Sequence, residues 1–179
     1  SSHPDQAKRV LGRIFDENEF YGQYGVRSIS KYHEKHPFEW ADRTITYEPG
    51  ESRERIMGGN SNWRGPVWFP INYLLIEAVR RYEAYLGPDF EIEAGSKTWK
   101  LSQLPTDLTR RLISIFKLSK GRRPYLGENK KLQSDEEFRD HLLFFEHFDP
   151  DTGRGLGASH QTGWTALVSR LIYELYSEN

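Results

Sequence analysis

Residues 66–88 read PVWFPINYLLIEAVRRYEAYLGP and predict one long helix near the middle of the chain. Apolar side chains recur there every three or four residues, a spacing that places them on one face of a helix. That face comprises Ile71, Leu74, Leu75, Ala78, Val79 and Tyr82. Pro66 and Pro70 fall near the start, where a missing N–H costs little, and Gly87-Pro88 is typical of a helix end. This helix indicates a mainly α fold.

Four more segments, on both sides of this helix, have helical periodicity or signals of a helix start. The expected helices cover residues 4–17, residues from Pro105 or Thr106 to Gly121, residues from the capping-box pair Ser134 and Glu137 onward, and residues from about Thr162, capped by Ser159 or Thr162. A short hairpin is expected around Gly95. Residues 20–63 show no sustained period, and so long a loop in a compact domain is usually functional. No internal boundary divides residues 1–179.

The composition excludes several classes of protein. With 25 Lys and Arg against 26 Asp and Glu, the formal net charge is −1, so no nucleic-acid partner is expected. The chain has no cysteine, which excludes disulfides and thiol chemistry. No run of about 18 apolar residues is present, so no membrane partner is expected. Residues 1–4 resemble a cut point rather than a signal peptide, and a cytoplasmic location is expected.

The loop before the long helix has a composition that suits a polyhydroxylated ligand. Residues 58–72 read GGNSNWRGPVWFPIN. The amide of Asn62 and the guanidinium of Arg64 offer hydrogen bonds to hydroxyl groups. Trp63 and Trp68 offer flat apolar faces to the C–H side of a sugar ring. The alternative is an ordinary helix start with both tryptophans in the core, and composition alone leaves the two interpretations open.

A second cluster, FFEHFD at residues 144–149, sets one carboxylate among aromatic side chains. A poorly solvated carboxylate such as Glu146 is a candidate general acid or base. The alternative, which the pattern alone favours, is a glutamate on the solvent side of a helix or strand.

A third cluster, GASHQTGWT at residues 157–165, precedes and opens the last predicted helix. The first turn of a helix has free N–H groups. His160, Gln161 and Trp164 would add polar and aromatic contacts to the hydroxyl groups of a ligand. The alternative is simple helix capping.

Three short patterns resemble metal or cofactor sites but lack residues that those sites need. The pattern Asp149-x-Asp151 is not followed by the glutamate that closes a calcium loop. The glycine-rich stretch 153–157 leads into the last helix, so no later strand supplies the acidic residue of a dinucleotide site. The pair His33-x-x-His36 has no third ligand nearby. No metal and no cofactor are therefore expected.

Taken together, the clusters resemble glycoside hydrolase family 63, whose members include processing α-glucosidase I, bacterial α-glucosidases and mannosylglycerate hydrolases. Residues 63–66 (WRGP) resemble a signature of that family, and residues 145–165 resemble the segment that carries its catalytic base. Residues 47–52 (YEPGES) fit as well. The similarity runs over residues 21–171 and is strongest to the bacterial branch, in which residues like 159–164 (SHQTGW) occur.

The resemblance implies an (α/α)6 barrel that hydrolyses glycosidic bonds with inversion of configuration. Glu146 matches the general base of the family, which activates the attacking water. Trp63 and Trp68 match aromatic residues of the sugar subsite, and Gln161 matches a polar residue that touches the glycone. The residues expected to line or support the same pocket are Asn62, Arg64, His160 and Trp164.

The resemblance leaves one catalytic residue unassigned. An inverting hydrolase needs a second carboxyl group, about 6.5–9.5 Å from the base, to protonate the leaving oxygen. In the family that acid is an aspartate in the N-terminal half of the barrel, and no residue here matches it. Asp42, Glu48 and Glu51 lie in loops and are not assigned the role. Because the predicted helices are too few for a whole barrel, the chain is expected to be the C-terminal part of a larger toroid.

A partial barrel implies specific partners. Its apolar helix faces are expected to pack on the N-terminal half of the same enzyme. In the isolated chain, exposed apolar patches of this kind favour association, so a homodimer is expected. The remaining partner is an oligosaccharide or glucoside substrate, which the isolated chain is expected to leave unhydrolysed.

Three alternatives belong to other classes. The first is a non-catalytic carbohydrate-binding helical domain, which titration with gluco-oligosaccharides would distinguish. The second is a fragment of a trehalase-like hydrolase, which shares the barrel but has other residues around its base. The third is a helical interaction module without a sugar site, which leaves the clusters unexplained.

Overall fold

The structure, a computed structural model, describes residues 2–51 and 63–177. Within these ranges the helices are α1 (His3–Ile14), α2 (Phe69–Leu86), α3 (Gln103–Ser114), α4 (Lys130–Ser134), α5 (Glu136–Arg139), α6 (Thr162–Thr165) and α7 (Leu167–Ser177). The strands are β1 (Tyr21–Gly22), β2 (Gly25–Val26), β3 (Phe38–Trp40), β4 (Arg43–Ile45), β5 (Glu91–Ala94), β6 (Lys97–Lys100), β7 (His147–Phe148) and β8 (Gly155–Leu156). The prediction of a mainly α chain is confirmed, whereas the barrel stays a prediction.

All described strands pair as antiparallel two-stranded hairpins, each formed by strands consecutive in sequence. The hairpin predicted around Gly95 is confirmed, since β5 pairs with β6 from Glu91↔Lys100 to Ala94↔Lys97. Gly95 adopts a φ of +61° in its turn, a value that glycine tolerates best.

The hydrophobic core lies where α2, α3 and α7 pack together. Burial of a Leu, Ile or Phe side chain stabilises a protein by about 1.5–3 kcal/mol. The three helices are therefore held together by their buried apolar side chains, and the loops extend from them. The buried side chains of the three helices include Phe69, Ile76, Val79, Leu104, Leu108, Leu112, Val168 and Leu171.

Helix α2 is apolar on two sides, and the buried side differs in part from the predicted one. Of the predicted face, Ile71, Leu74 and Tyr82 are 52%, 63% and 42% exposed. Ile76 is buried instead, together with Val79, which belongs to the predicted face. That prediction is therefore wrong in part, because apolar residues on two sides of a helix do not define a single buried face. One apolar side of α2 is left without a cover.

Helix α7 also exposes large apolar side chains beside its buried residues. Ile172, Tyr173 and Tyr176 are all exposed. The side chains of Arg80 on α2 and Glu174 on α7 form an ion pair of 3.1 Å between the two helices. Within residues 2–51 and 63–177, no helix combines the length and the hydrophobicity that crossing a bilayer requires.

The region between α1 and α2 contains more regular structure than its sequence predicts. Two hairpins, β1–β2 and β3–β4, flank a short 3-10 turn at Lys31–Glu34. Each of these strands has two or three residues, so no alternation of apolar and polar residues could be recognised.

Asn72 joins this region to α2. The side chain is almost fully buried. Its Oδ1 accepts the N–H of Val26 at 2.8 Å, and its Nδ2 donates to the carbonyl oxygens of Val26 (3.1 Å) and Trp68 (3.0 Å). Buried backbone groups are thereby satisfied, and the first turn of α2 is fixed at Trp68.

Two helix starts differ from the sequence prediction. Helix α2 begins at Phe69 rather than near Pro66. The capping-box prediction for Ser134 is wrong, because Ser134 ends α4 and Asp135 caps α5. The Asp135 carboxylate accepts the N–H of Glu137 at 2.9 Å, and aspartate is as good an N-cap as serine.

The last predicted helix is divided into α6 and α7 at Ala166. Neither Ser159 nor Thr162 caps it, so that prediction is wrong. Gln161 occupies the N-cap position without a capping bond from its side chain, and Thr162 is the first helical residue. The Ser159 hydroxyl is instead hydrogen bonded to Nδ1 of His160 at 2.7 Å.

Candidate active site

The three sequence clusters meet along one extended segment, residues 144–148. Val67, from the first cluster, pairs with Phe148 through two backbone hydrogen bonds of 2.8 and 3.0 Å. Gln161, from the third cluster, donates its N–H to the carbonyl oxygen of Phe144 at 2.8 Å. The second cluster therefore lies between the other two, as a single site for one ligand would require.

Three tryptophans and one histidine stack beside this segment. Trp63 is parallel to Trp68, with ring centroids 4.4 Å apart and 7° between the planes. Trp68 stacks on His147 at 4.7 Å, and Trp164 lies 5.7 Å from Trp68 with a tilt of 35°. Trp63 and Trp164 are partly exposed, whereas Trp68 is buried between its neighbours. Trp63, Trp68 and Trp164 are called the tryptophan platform below.

A groove of about 390 Å³ opens on the tryptophan platform, between α2 and α6. Its volume lies within the range usual for small-molecule sites, roughly 300–1,000 Å³. Besides the platform, Pro70, Ile71, Gly163 and Leu167 line the groove. Its surface is therefore mainly apolar, which suits the C–H face of a pyranose ring. A larger open groove of about 850 Å³ lies between α1 and β5 and contains none of the three clusters.

Glu146 is half-buried, next to the loop that follows β8. Its N–H donates to the carbonyl oxygen of Ala158 at 2.8 Å. Its Oε2 accepts the N–H of Ala158 at 3.4 Å, while Oε1 has no hydrogen-bond partner among the described residues. A carboxylate held in this way keeps an acceptor oxygen with which it can take a proton from water.

His147 is 1% exposed, and neither of its ring nitrogens has a hydrogen-bond partner within residues 2–51 and 63–177. Burial lowers the pKa of His147 below the ordinary value of 6.5, although the negative charges of Glu146 and Glu51 oppose this shift. The imidazole is therefore neutral at pH 7. A flat, uncharged ring supports Trp68 from the buried side.

Acidification should destabilise the folded protein through His147. Because the pKa of His147 is lower in the folded than in the unfolded chain, the unfolded chain binds the proton first as the pH falls. The contribution of neutral His147 to the free energy of unfolding is fully present above pH 6.5, the ordinary pKa. It is lost as the pH falls from there through the pKa of His147 in the folded protein. We expect His147→Phe, which keeps a ring against Trp68, to reduce the difference between the free energies of unfolding at pH 7.5 and 5.5.

Urea denaturation at the two pH values measures this difference. The exposed His141 provides the matched control, since His141→Phe removes a histidine that is not enclosed by the core. A His147→Phe variant with the same pH dependence as the wild type would contradict the expectation.

The guanidinium of Arg64 is directed toward the loop at residues 47–51, not to open solvent. Arg64 is buried, and its Nη1 lies 2.8 Å from Oε2 of Glu48. Its carbonyl oxygen also accepts the N–H of Glu48 at 2.6 Å. Both bonds join the residue that follows Trp63 to the loop at residues 47–51.

Two of the remaining predicted site residues, Gln161 and His160, directly precede the helix that carries the groove-lining Gly163 and Trp164. Gln161 is half-buried at the start of α6, and His160 is exposed beside it. Asn62 lies outside the described residues. The structure thus brings the backbone of Glu146 and of Gln161 beside the segment that packs on the tryptophan platform. Neither of these two side chains lines the groove on the platform.

His147 and Glu48 are not among the site residues predicted from the sequence. His147 follows Glu146 directly in the sequence, but its burial and its stacking on Trp68 are visible only in the structure. Glu48 lies in the YEPGES stretch, but its pairing with Arg64 joins separate loops and has no local signature.

No group of three His, Asp or Glu side chains in the described parts of the chain is arranged to hold a metal ion. Nδ1 of His33 is hydrogen bonded to the carbonyl oxygen of His36 at 2.9 Å, and Nδ1 of His36 to that of Tyr32 at 3.2 Å. Both histidines are thus engaged with the backbone.

Comparison with known proteins gives a family and several relatives. A family model described as the mannosylglycerate hydrolase MGH1-like glycoside hydrolase domain matches residues 1–165. An uncharacterized protein of Saccharomyces cerevisiae is 48% identical over 176 residues, which cover 93% of this chain and 16% of the relative.

Two further relatives carry enzyme names. A probable mannosyl-oligosaccharide glucosidase of Schizosaccharomyces pombe is 26% identical over 170 residues, and the mannosyl-oligosaccharide glucosidase of S. cerevisiae is 24% identical over 166 residues. These matches cover 93% and 92% of the chain but 15% of each relative. The chain therefore spans less than a fifth of the length of these yeast relatives, and its likeness to the bacterial branch stays a prediction.

Proposed function

Because the chain belongs to the mannosylglycerate hydrolase MGH1-like family of glycoside hydrolases, related to family 63, we propose that it forms part of an inverting α-glucosidase-like active site. The part that it supplies is the one that holds the general base. Glu146 is the general base in this proposal. It takes a proton from the water that attacks the anomeric carbon, and such proton transfer contributes typically about 10²–10⁴-fold to a rate.

The observation that carries the proposal is the convergence of three separate clusters on residues 144–148. A half-buried carboxylate at Glu146 adjoins His147, which in turn stacks on the tryptophan platform. A sugar ring stacked on the platform would be held by its C–H face. Polar groups from Gln161 and His160 would then bind hydroxyl groups.

The supporting residues of the first cluster have a different role in the proposal. Arg64, through its ion pair with Glu48, fixes the loop that leads to the platform. Asn62, next to Trp63 in sequence, is proposed to contact sugar hydroxyl groups. Neither residue takes part in proton transfer.

The general acid comes from another part of a longer enzyme in this proposal. The chain matches 15–16% of the length of its relatives, which leaves ample chain for a second half of an (α/α)6 barrel. The uncovered apolar side of α2, with Leu74 and Tyr82, is proposed to pack on that half. In the isolated chain the same side would associate with a second copy, giving a homodimer.

The proposed substrate is an α-linked glucoside or a glucose-bearing oligosaccharide. Support comes from the two relatives named mannosyl-oligosaccharide glucosidase. The apolar groove on the platform has room for a sugar ring, and it has few polar groups that would favour a charged ligand instead.

Inversion can be observed in the first product formed. We expect the full-length enzyme to release β-glucose from 4-nitrophenyl α-glucopyranoside, because the water attacks from the face opposite the leaving group. Proton NMR, recorded before mutarotation equilibrates the anomers, distinguishes β- from α-glucose. A Glu146→Gln preparation controls for contaminating hydrolases.

Release of α-glucose first would contradict the mechanism. That result would indicate a covalent intermediate and a second carboxylate only about 5–5.5 Å from the first.

A further inference from the structure

Gly157 lies directly against the Glu146 carboxylate. It has a backbone φ of +70°, which residues other than glycine rarely adopt. Its N–H donates to Oε1 of Glu51 at 3.4 Å, and the N–H of Ala158 donates to Oε2 of Glu146 at the same distance. The loop backbone is therefore bonded to a carboxylate at each of two successive residues.

A side chain at position 157 would collide with two neighbours. A Cβ there would lie 2.6 Å from Oε2 of Glu146 and 2.9 Å from Cε1 of His147. Both distances are shorter than van der Waals contact, so a neighbour would have to move. The His147 ring is buried and stacked on Trp68, whereas the carboxylate ends a flexible side chain. The carboxylate of Glu146 is therefore the group that would be displaced furthest, while a shift of the loop backbone would have to relieve the contact with His147.

We propose that Gly157 is a positioning residue, which fixes the Glu146 carboxylate relative to the tryptophan platform. The inference rests on the proposed function, since it concerns the alignment of the proposed base. The attacking water must lie between the carboxylate and the anomeric carbon, and a misplacement of about 1 Å can lower a rate by about 10²-fold. Any residue with a Cβ at position 157 would occupy space that the carboxylate uses.

Gly157→Ala in the full-length enzyme tests the proposal, with Gly121→Ala as the matched control. Gly121 has a φ of +74°, but a Cβ there would meet no atom within 4 Å. Both variants therefore carry similar backbone strain, and only Gly157→Ala adds the collision with Glu146.

With 4-nitrophenyl α-glucopyranoside as substrate, we expect Gly157→Ala to lower kcat by about 10²-fold. KM should change much less, since the platform stays in place. Gly121→Ala should keep a kcat near that of the wild type, while the melting temperatures of the two variants fall by similar amounts.

Gly157→Asn separates the backbone strain from the collision. Asparagine adopts positive φ more readily than alanine, yet it has the same Cβ. Equal losses of kcat in the Asn and Ala variants support the proposal. Recovery of kcat in the Asn variant overturns it, because strain alone would then explain the loss.

Three other results also overturn the positioning role. The first is a kcat of Gly157→Ala equal to that of Gly121→Ala. The second is a rise in KM without a loss of kcat, which would assign Gly157 to substrate binding. The third is loss of cooperative thermal unfolding in both Gly157 variants but not in Gly121→Ala, which would assign Gly157 to the fold. A failure of the proposed function itself is recognised separately, by near-normal kcat in Glu146→Gln.

Discussion

Glu146→Gln in the full-length enzyme is expected to lower kcat by at least about 10²–10⁴-fold, the usual contribution of general acid–base catalysis. Glutamine has nearly the shape of glutamate and keeps an oxygen that can accept the Ala158 N–H. It cannot take a proton from the attacking water at neutral pH. The loss should therefore fall on kcat, which initial rates at saturating 4-nitrophenyl α-glucopyranoside measure.

Two controls separate this chemical effect from damage to the fold. Thermal unfolding of Glu146→Gln should match the wild type closely, because the half-buried side chain keeps its size. Glu136→Gln removes an exposed glutamate from α5 and should leave kcat unchanged. A near-normal kcat in Glu146→Gln would place the base elsewhere and remove the basis of the proposed function.

The isolated chain of 179 residues is expected to have no measurable hydrolase activity. Without a general acid, the leaving oxygen departs unprotonated, which alone is worth about 10²–10⁴-fold in rate. In the proposed arrangement, half of the walls of the sugar pocket are missing as well. Release of 4-nitrophenol by the purified chain, compared with the full-length enzyme at equal concentration, measures the difference.

Turnover of the α-glucoside by the isolated chain would contradict this expectation and would require the acid to lie within these residues. Circular dichroism must first establish that the isolated chain is helical. Calorimetric titration with gluco-oligosaccharides then distinguishes an inactive half-site from a sugar-binding domain, since only the latter should bind them tightly. Light scattering reports whether the isolated chain forms the proposed homodimer.

The candidate site was visible in the sequence to the extent that its residues lie in short, distinctive stretches. Trp63, Trp68, Glu146, Gln161 and Trp164 each belong to a cluster whose residue types suit sugar chemistry, and their order along the chain carried the family resemblance. Such stretches can be recognised because the signal depends on neighbours in sequence. The mainly α class was accessible for the same reason, since helical periodicity is local.

The apolar residues of α2 show where local patterns stop being sufficient. Ile71, Leu74 and Ile76 are all apolar, and the periodicity selected Ile71 and Leu74 for the packed face and left out Ile76. Only packing against α3 and α7 decides that Ile76 is buried and that Leu74 is left exposed.

The sequence by itself determined the fold class, the absence of cysteine chemistry and the side chains available for a sugar site. The tertiary structure decided how they act together: His147 stacks on Trp68, Arg64 pairs with Glu48, and Gly157 lies against Glu146. The contact from Gly157 to Glu51 spans 106 positions of the chain. Composition and periodicity describe each residue with its neighbours in sequence, whereas the geometry of a site depends on segments that only the folded chain brings together.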